Sequence, residues 1–359
     1  MENINLVKHS YKDDCIFLLK DLTDKIQEIT IQEKEELIRS GVSYSEMISK
    51  ESIPSKDIKN IFLNILNRDK KLIAYYVAKI SEIIYRQKGN KLVIVSLARA
   101  GTPYGILIRK YLKLKYKVDI PHYSISIIRG KGIDANALKY ILTENKKAEI
   151  QFVDGWTGKG SITKELNKSI DIFNNENKTN IDNSLAVISD PAKLCKVCGT
   201  REDFGIATCC LNSTVSGLIS RTIHNEKYIG KDEFHGAKTL YYLKDEDYSQ
   251  YFIDKIDNEF KKISIKYEDL VLENIDKEYS MKIVSKIREL YDVNNINNIK
   301  LSVGESARVL LRRDPRVVLV KNKSDKNIEH ILKLAEEKGV KVIEYKDSEY
   351  NCISIINER

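Results

Sequence analysis

The segment FVDGWTGKGSI at 152–162 has residue types and a spacing that suit a phosphate-binding turn. A predicted buried strand ends there in Asp154, and three glycines, two hydroxyl residues and a lysine follow before a predicted helix. Glycine allows backbone N–H groups to converge on an anion, and the start of a helix favours negative charge. The predicted phosphate-binding residues are Thr157, Gly158, Lys159, Gly160 and Ser161. Asp154 is placed to accept hydrogen bonds from the hydroxyl groups of a sugar.

Two other interpretations of this turn differ in how well they fit. A P-loop needs Ser or Thr directly after its lysine and a glycine six residues before it, whereas Gly160 follows Lys159 and position 153 is valine. The P-loop motif therefore fails. A tight strand-to-helix turn that binds nothing stays open as the simpler alternative.

Two further segments carry cations beside glycines. SLARAGTPYG at 96–105 leaves an earlier predicted strand in the same way, and its arginine offers several N–H donors to a second anionic group. The residues predicted to hold that group are Ala98, Arg99, Ala100 and Gly101. HYSISIIRGKGID at 122–134 carries Arg129 and Lys131 between glycines, as a mobile lid over a polyanion would. A solvated basic loop is the alternative for this last segment.

The surrounding pattern predicts strands that alternate with helices. Apolar residues recur at helical spacing over 70–87, and continuous or alternating apolar runs predict strands. The predicted strands are 92–97, 123–127, 148–153 and 185–188. Such alternation implies parallel pairing through right-handed crossovers, with ligands at the carboxyl ends of the strands. The predicted fold class is α/β, a doubly wound parallel sheet with an N-terminal helical cap, and both glycine segments lie at one edge of that sheet.

The composition fits a globular protein of two or three domains. The chain has 359 residues, of which 42% are apolar, and this is enough for a sizeable core and argues against intrinsic disorder. Its 60 Lys and Arg residues exceed its 52 Asp and Glu residues, so the net charge of +8 favours anionic partners. No signal peptide or membrane-length apolar run is evident, and six cysteines in such a chain predict reduced thiols. We expect a cytoplasmic protein without membrane contact.

The glycine segments together resemble the phosphoribosyltransferases that use phosphoribosyl diphosphate. The resemblance is closest to a bacterial family found with tellurite-resistance and stress gene clusters, which is also described as a StiP-type cysteine protease although its motifs are those of a phosphoribosyltransferase. The matching stretches are YSEM at 44–47, SLARAGTPYG, HYSISIIRGKGID, FVDGWTGKGSI and LNSTVSGLISRT. They span about residues 40–225, so the resemblance covers most of the predicted sheet.

The resemblance implies a reaction and assigns residue roles. A ribose 5-phosphate unit would move from phosphoribosyl diphosphate to a base-like nitrogen acceptor, with Mg²⁺ bound mainly through the substrate diphosphate. The implied catalytic residues are Asp154, Arg99 and Lys131. Residues 157–161 would hold the 5-phosphate, residues 98–101 the diphosphate, and Arg129 with Lys131 would close over it. The protein would stabilise charge on the leaving diphosphate and exclude water. Related transferases commonly dimerise, so a homodimer is expected.

One departure from the family pattern supports a different class of function. Most phosphoribosyltransferases place two adjacent acids at the ribose site, whereas Gly155 follows Asp154 here. The main alternative is therefore a non-catalytic regulatory protein that binds phosphoribosyl compounds and RNA. Asn212, Ser216 and Arg221, in LNSTVSGLISRT at 211–222, are predicted acceptor-pocket residues, with an ordinary helix face as the alternative.

The cysteines suggest two more hypotheses. Cys195 and Cys198 form a C-x₂-C pair, and Cys209 and Cys210 follow, so four thiols could in principle bind zinc. A cysteine protease would need Cys209 or Cys210 beside a histidine base such as His224 or His235. Nothing in the spacing supports that pairing, so buried thiols are the default and the protease ranks last.

The C-terminal part predicts a second, small α/β module. Predicted strands at 317–320, 340–345 and 352–356 flank one helix, and residues 301–326 hold seven basic and three acidic side chains. This part resembles the Pelota-type RNA-binding domain, and its basic excess suits contact with phosphates. A solvated basic face is the alternative. We predict a transferase-like domain over 1–270, with the helical cap at about 1–90 and the core at 91–270, and a Pelota-like domain over 271–359.

Overall fold

The computed structural model describes residues 5–12 and 14–357. Its α-helices are α1 Ile31–Arg39, α2 Lys56–Lys88, α3 Thr102–Tyr116, α4 Ala135–Glu144, α5 Ser161–Asn177, α6 Ser249–Asp257, α7 Tyr279–Leu290, α8 Val303–Arg312 and α9 Glu329–Glu337. Its strands are β1 Ile16–Phe17, β2 Lys20–Asp21, β3 Glu28–Ile29, β4 Ile48–Ser49, β5 Leu92–Ala98, β6 His122–Ile128, β7 Gly132–Ile133, β8 Glu149–Trp156, β9 Leu185–Ser189, β10 Val197–Thr200, β11 Gly236–Ala237, β12 Ile299–Leu301, β13 Pro315–Val320, β14 Val342–Glu344 and β15 Cys352–Ile356.

A parallel sheet lies at the centre of the molecule. Its strand order is β1-β6-β5-β8-β9-β10, and the short β7 pairs antiparallel with β6. In the register of the sheet, Ile94 of β5 lies opposite His122 of β6, and Leu92 of β5 lies opposite Glu149 of β8. Strands β5 and β6 are buried almost throughout, as expected for continuous β-branched runs in a parallel sheet. The predicted mixed α/β fold with a parallel sheet is confirmed, whereas nothing supports a sheet of phosphoribosyltransferase type.

Two apolar clusters cover the two faces of this sheet. One contains helices α2 and α3 with the side chains of Ile94 and Val153, and the other contains α4 and α5 with those of Val95 and Phe152. Neighbouring residues of one strand point to opposite faces, so each strand contributes to both clusters. Helices therefore pack on both faces of the sheet.

Helix α2 is much longer than the segment predicted at 70–87. Ser55 caps its start by accepting a hydrogen bond from the Ile58 N–H at 3.3 Å, and the helix ends before Gly89. The apolar stripe begins earlier than predicted because Phe62 and Leu66 are already fully buried. The expected helical cap at 1–90 contains α2 and α1, together with the short strands β1 to β4.

The C-terminal module, defined here as α7 to β15, has its own four-stranded mixed sheet. The strand order is β12-β15-β13-β14, in which β13 and β14 are parallel and the other pairs are antiparallel. Ser302 caps α8 by accepting from the Glu305 N–H at 3.3 Å. This agrees with the predicted Pelota-like unit, while the domain boundary near residue 270 stays a prediction.

The two modules are joined by a continuous core and a buried carboxylate. Val303 and Ala307 of α8 pack in the same cluster as Ala207 near the sheet edge. The Asp203 carboxylate accepts hydrogen bonds from the N–H groups of Val303 at 2.8 Å and Asn351 at 3.0 Å. Burial raises the pKa of Asp203 to about 7. The C-terminal module therefore sits firmly against the edge where the glycine segments end.

Among the residues described, none of the helices is both long and apolar enough to cross a bilayer.

Candidate active site

The arginine of the 96–105 segment is held by protein groups. Arg99 donates from Nη1 to the Ile219 carbonyl at 2.5 Å, and from Nη2 to Glu51 Oε1 at 2.5 Å and to Asn212 Oδ1 at 3.2 Å. Arg221 lines the same cavity as Arg99 and Asn212. The structure thus brings a predicted diphosphate-binding arginine together with two predicted acceptor-pocket residues, and it adds Glu51, which the sequence did not single out.

The polar groups of the 157–161 loop also have partners within the chain. The Thr157 hydroxyl donates to Asp190 Oδ1 at 2.5 Å, and the Gly158 carbonyl accepts from the Tyr350 hydroxyl at 3.1 Å. Lys159 Nζ donates to the carbonyls of Ile296 at 2.5 Å and Ile299 at 3.2 Å. Burial, with repulsion from nearby cations, lowers the pKa of Lys159 to about 8. The C-terminal module therefore covers the loop that was predicted to hold a phosphate.

Glycine is required at two positions of these loops. A Cβ at Gly101 would lie 2.2 Å from the Val153 carbonyl oxygen. Gly160 has φ of +83° and immediately precedes Ser161, the first residue of α5. Both glycines are thus explained by backbone packing alone.

Asp154 lies near the end of β8 and faces the C-terminal module. Its Oδ1 accepts from the Gly155 N–H at 2.8 Å. Burial raises the pKa of Asp154 to about 6, and the Arg308 charge opposes that rise. Ala98 ends β5, and Ala100 lines a small cavity next to Arg99.

The two predicted lid residues lie in different surroundings. Arg129 Nη2 donates to Asn297 Oδ1 at 2.8 Å, whereas Lys131 is exposed in a groove beside α5. Ser216 Oγ donates to the Asn212 carbonyl at 2.6 Å. The individual roles assigned to these residues stay predictions.

The structure keeps the two cysteine pairs apart. Cys195 and Cys198 lie in the cluster with α4 and α5, whereas Cys209 and Cys210 lie in the cluster on the opposite face. Within 5–12 and 14–357, no group of three or more His, Cys, Asp or Glu side chains is arranged to hold a metal ion. The four-thiol zinc hypothesis is therefore not supported. The Mg²⁺ that the resemblance implies stays a prediction.

The histidines named for a protease do not contact these thiols. His224 and His235 lie beside each other, with ring centroids 4.8 Å apart. His235 Nδ1 is 2.9 Å from the Ser126 hydroxyl, and burial lowers the pKa of His235 to about 3. A different histidine, His330, lies beside Cys209.

Cys209, Cys210 and His330 form a cluster at the junction of the two modules. The Cys209 and Cys210 sulfurs are 3.9 Å apart. The pKa of Cys209 lies well below that of an ordinary thiol, first because the Cys210 thiol donates to its sulfur, and then because His330 and the Arg308 charge favour the thiolate. Burial opposes this shift. The hydrogen bond with Cys209 and burial raise the pKa of Cys210 in turn, so the pair favours a single thiolate.

His330 is positioned by α9 and by a glycine of the other module. The imidazole is 5% exposed, and neither ring nitrogen has a well-formed hydrogen bond to any group in the described part of the chain. A Cβ at Gly205 would lie 2.5 Å from His330 Cε1, so only glycine leaves room for the ring. The ring is therefore held beside Cys209 by packing.

A second cysteine contacts a histidine elsewhere in the fold, but neither of these two groups is charged. Cys15 Sγ is 3.8 Å from His122 Nε2. That nitrogen is 2.8 Å from the Ser96 hydroxyl, and Nδ1 is 3.1 Å from the Asp14 carbonyl. Burial lowers the pKa of His122 to about 3 and raises the pKa of Cys15 well above its ordinary value. Both groups are therefore neutral near pH 7.

Comparisons with known proteins identify both parts of the chain. Residues 9–257 match the family described as "Tellurite-like stress resistance cysteine protease StiP", and residues 278–358 match the "PELOTA RNA binding domain". The chain is 33% identical over 365 residues to "Cysteine protease StiP" of Acinetobacter baylyi, which covers 97% of this chain and 94% of that protein.

These matches correct the predicted function. The resemblance to the StiP and Pelota families is confirmed, but the prediction of a phosphoribosyltransferase is wrong because the family and the relative are cysteine proteases by name. The local sequence of the glycine-rich turn is typical of an anion-binding loop, which accounts for the wrong prediction. In the fold, the lysine of that turn donates to carbonyls of the C-terminal module.

Proposed function

The chain belongs to the StiP family, and on that premise we propose that it is a thiol-dependent peptide hydrolase with Cys209 as its nucleophile and His330 as its base. The name of the 33% identical relative supports the reaction class. The single observation that carries the residue assignment is the buried cluster at the junction, in which the Cys209 and Cys210 sulfurs lie 3.9 Å apart and the neighbouring His330 favours the Cys209 thiolate. A thiolate is the reactive form of cysteine, and a nearby histidine is its usual partner in such catalysis.

The proposed reaction proceeds through a thioester. The Cys209 thiol transfers its proton to His330, and the sulfur attacks the carbonyl carbon of a peptide bond. His330 then returns that proton to the leaving amine as the C–N bond breaks. Water hydrolyses the thioester, which releases the acid and restores the thiol. Cys210 supplies a hydrogen bond that stabilises the thiolate before attack.

Access to Cys209 requires a local opening. The residue is fully buried, and a cavity of about 20 Å³ is lined by its chain neighbour Thr208 together with Leu211 and Arg308. We propose that a peptide enters where α8 meets this cavity, with Arg308 moving aside while α9 keeps His330 in place. Conformational steps of this kind commonly gate enzyme active sites.

Cleavage of an unfolded fluorescent protein substrate tests the assignment. We expect Cys209→Ser to lose at least about 10³-fold in kcat/KM, because removing the nucleophile leaves little of the reaction. Cys15→Ser is the matched control, since it removes a buried thiol that also neighbours a histidine. Equal activity of the two variants would remove the assignment of Cys209.

RNA binding is a second candidate function, carried by the Pelota match at 278–358. Of the seven basic residues predicted to contact phosphates, five are exposed and two, Arg308 and Arg312, face the junction instead. The exposed ones are Arg313, Arg316, Lys321, Lys323 and Lys326. A homodimer stays a prediction.

The salt dependence of RNA binding tests this candidate. Replacing Arg316, Lys321 and Lys323 by Gln should weaken binding of a single-stranded RNA and reduce the slope of log K against log salt by about 2, because each lost phosphate contact removes about 0.7. Replacing Lys282 on α7, which is exposed outside that segment, serves as the control. If the slope of log K against log salt were unchanged in the triple variant, RNA would not contact Arg316, Lys321 and Lys323, and this candidate binding surface would be wrong.

A further inference from the structure

An exposed tyrosine ring is held in a fixed position next to the junction of the two modules. Tyr242, in the short helix Tyr241–Glu246, is 45% exposed. Its hydroxyl lies 2.9 Å from Glu28 Oε2 and 3.1 Å from the Glu51 carbonyl oxygen, and it accepts a hydrogen bond from the Glu51 N–H at 3.1 Å. These contacts hold one end of the side chain, while much of the ring stays open to solvent.

The carboxylate that contacts this hydroxyl is itself anchored. Glu28 Oε1 lies 3.1 Å from Lys238 Nζ, which also donates to the Ile26 carbonyl at 2.7 Å. Lys238 is only 8% exposed, so this anchor belongs to the interior of the fold. The Tyr242 ring is therefore preorganised, and it loses little conformational freedom when a flat ligand stacks on it.

The segment that holds Tyr242 also lines a cavity between the two modules. Residues 49–52 lie in the walls of this cavity, which has a volume of about 370 Å³. Lys50, an exposed member of the segment, has its Nζ 5.9 Å from the centre of the Tyr242 ring. The C-terminal module contributes residues of α8 and Arg313, which follows that helix. Tyr242 therefore lies at the rim of a cavity that extends to the C-terminal module.

The cavity walls keep an excess of positive charge after their carboxylates are taken into account. Glu51 accepts a hydrogen bond from Arg99, and Glu305 accepts one from Arg308. The same two carboxylates also act on the charge of Arg312. Five further cations line the walls, namely Lys34, Lys50, Arg221, Lys300 and Arg313. Two carboxylates do not balance this set, so the cavity attracts a polyanion.

The combination of ring and charge favours one class of polyanion. Single-stranded nucleic acids bind where bases stack on aromatic rings and phosphates contact a basic groove. An acidic peptide would satisfy the cations but would leave the Tyr242 ring without a partner. The C-terminal module matches an RNA-binding family over residues 278–358, and its exposed Arg313 lines the cavity. RNA therefore fits both features.

We propose that a single-stranded RNA bound by the C-terminal module continues along this cavity onto the first module, where one base stacks on the Tyr242 ring. The proposal rests on the RNA-binding candidate described above and involves neither the thiol chemistry nor any bond cleavage. Phosphates of the strand contact Arg313 and Lys50, whereas Arg99 stays paired with Glu51. The RNA-binding surface thus spans both modules.

Fluorescence anisotropy of the full chain with a labelled oligoadenylate of about 12 nucleotides tests the proposal. We expect Tyr242→Ala to weaken binding by about fivefold or more, because it removes a stacking platform, without changing the slope of log K against log salt. Lys50→Gln should reduce that slope by about 0.7, because it removes one phosphate contact. Tyr267→Ala is the matched control, since Tyr267 is 80% exposed and does not line the cavity.

The outcomes separate this proposal from the RNA-binding candidate on which it rests. Equal affinities of Tyr242→Ala and Tyr267→Ala would overturn the proposal while the native chain still bound RNA. If the native chain bound no oligoadenylate, both would be wrong. Competition by polyglutamate as strong as that by unlabelled RNA would show that stacking plays no part, which also overturns the proposal. If Tyr242→Ala does not fold, ultraviolet crosslinking of the native complex decides, because absence of a crosslink at Tyr242 contradicts a stacked base.

Discussion

Two cysteine and histidine pairs in this protein have the same residue types and opposite chemistry. Cys15 and His122 lie beside β6, where burial raises the pKa of the thiol and lowers that of the imidazole. Cys209 and His330 are buried to a similar degree, yet the pKa of Cys209 is lowered. Burial alone therefore does not decide whether a thiol is reactive.

The difference lies in the neighbours of each sulfur. Cys209 accepts a hydrogen bond from Cys210 and lies near the Arg308 charge. The Cys15 sulfur instead lies 3.8 Å from an imidazole that is also engaged by Ser96 and by the Asp14 carbonyl, and burial outweighs the Arg109 charge that would favour its thiolate. Burial keeps His122 neutral although its hydrogen bond to the Asp14 carbonyl favours the charged ring, so this histidine does not help to ionise the neighbouring thiol.

The largest expected effect concerns the two histidines. His330→Gln should lower kcat/KM for peptide cleavage by about 10²–10⁴-fold, because it removes the base that accepts the thiol proton. His122→Gln should leave cleavage unchanged. Circular dichroism first confirms that both variants fold, and steady-state kinetics then measure kcat/KM. Equal losses of kcat/KM in the two variants would show that the two cysteine and histidine pairs do not differ in reactivity.

A smaller effect is expected from the glycine that makes room for the His330 ring. Gly205→Ala places a methyl group where His330 Cε1 lies within 2.5 Å, so the ring must shift. We expect kcat to fall by about 10²-fold with little change in KM, because misplacing a catalytic group by about 1 Å is enough for such a loss. Gly230→Ala is the control, since its nearest contact is a flexible carboxylate oxygen at 3.3 Å. Loss of substrate binding rather than of kcat would argue against a positioning role.

The role of Cys210 predicts a shift in the pH profile. Cys210→Ala removes the donor to the Cys209 sulfur, so the pKa of Cys209 rises and the thiolate forms only at higher pH. The acid limb of the kcat/KM profile should move to higher pH by about 1 unit or more, and Cys210→Ser, which keeps a donor, should move it less. Identical acid limbs in all three proteins would show that Cys210 does not activate its neighbour.

The smallest effect is expected at Cys15. Cys15→Ala should leave cleavage and its pH profile unchanged and should lower the free energy of unfolding by about 1 kcal/mol, as expected for a small buried side chain. Urea denaturation of the variant measures this. A marked loss of activity would mean that the pair at His122 is not inert.

Most of the fold could be predicted from the sequence, because it depends on local patterns. Strand β5 is a continuous run of β-branched and apolar residues, and Gly101 and Gly160 mark the turns that follow β5 and β8. The pattern predicts too late a start for α2, at Lys70 instead of Lys56, because charged residues interrupt its apolar stripe near Lys70. The three-residue helix that carries Cys209 gives no periodic signal at all.

The candidate active site could not be predicted, because its parts meet only in the tertiary structure. His330 lies on an amphipathic helix of the second module, where a buried histidine looks like any core residue. Gly205 gives no sign in the sequence that it faces an imidazole. The phosphate-binding prediction for residues 157–161 stays a prediction, and the sequence pattern gives no sign that the C-terminal module covers this turn, since that contact spans more than a hundred residues.

The ionisation of Cys209 is the most direct test of the account. The ultraviolet absorbance of thiolates, followed from acid to alkaline pH, should show one thiolate forming well below the pKa of an ordinary thiol in the native protein and in Cys15→Ser. That transition should be absent from Cys209→Ser. If the low-pH thiolate persists in Cys209→Ser, or disappears in Cys15→Ser, the assignment of the reactive cysteine is contradicted.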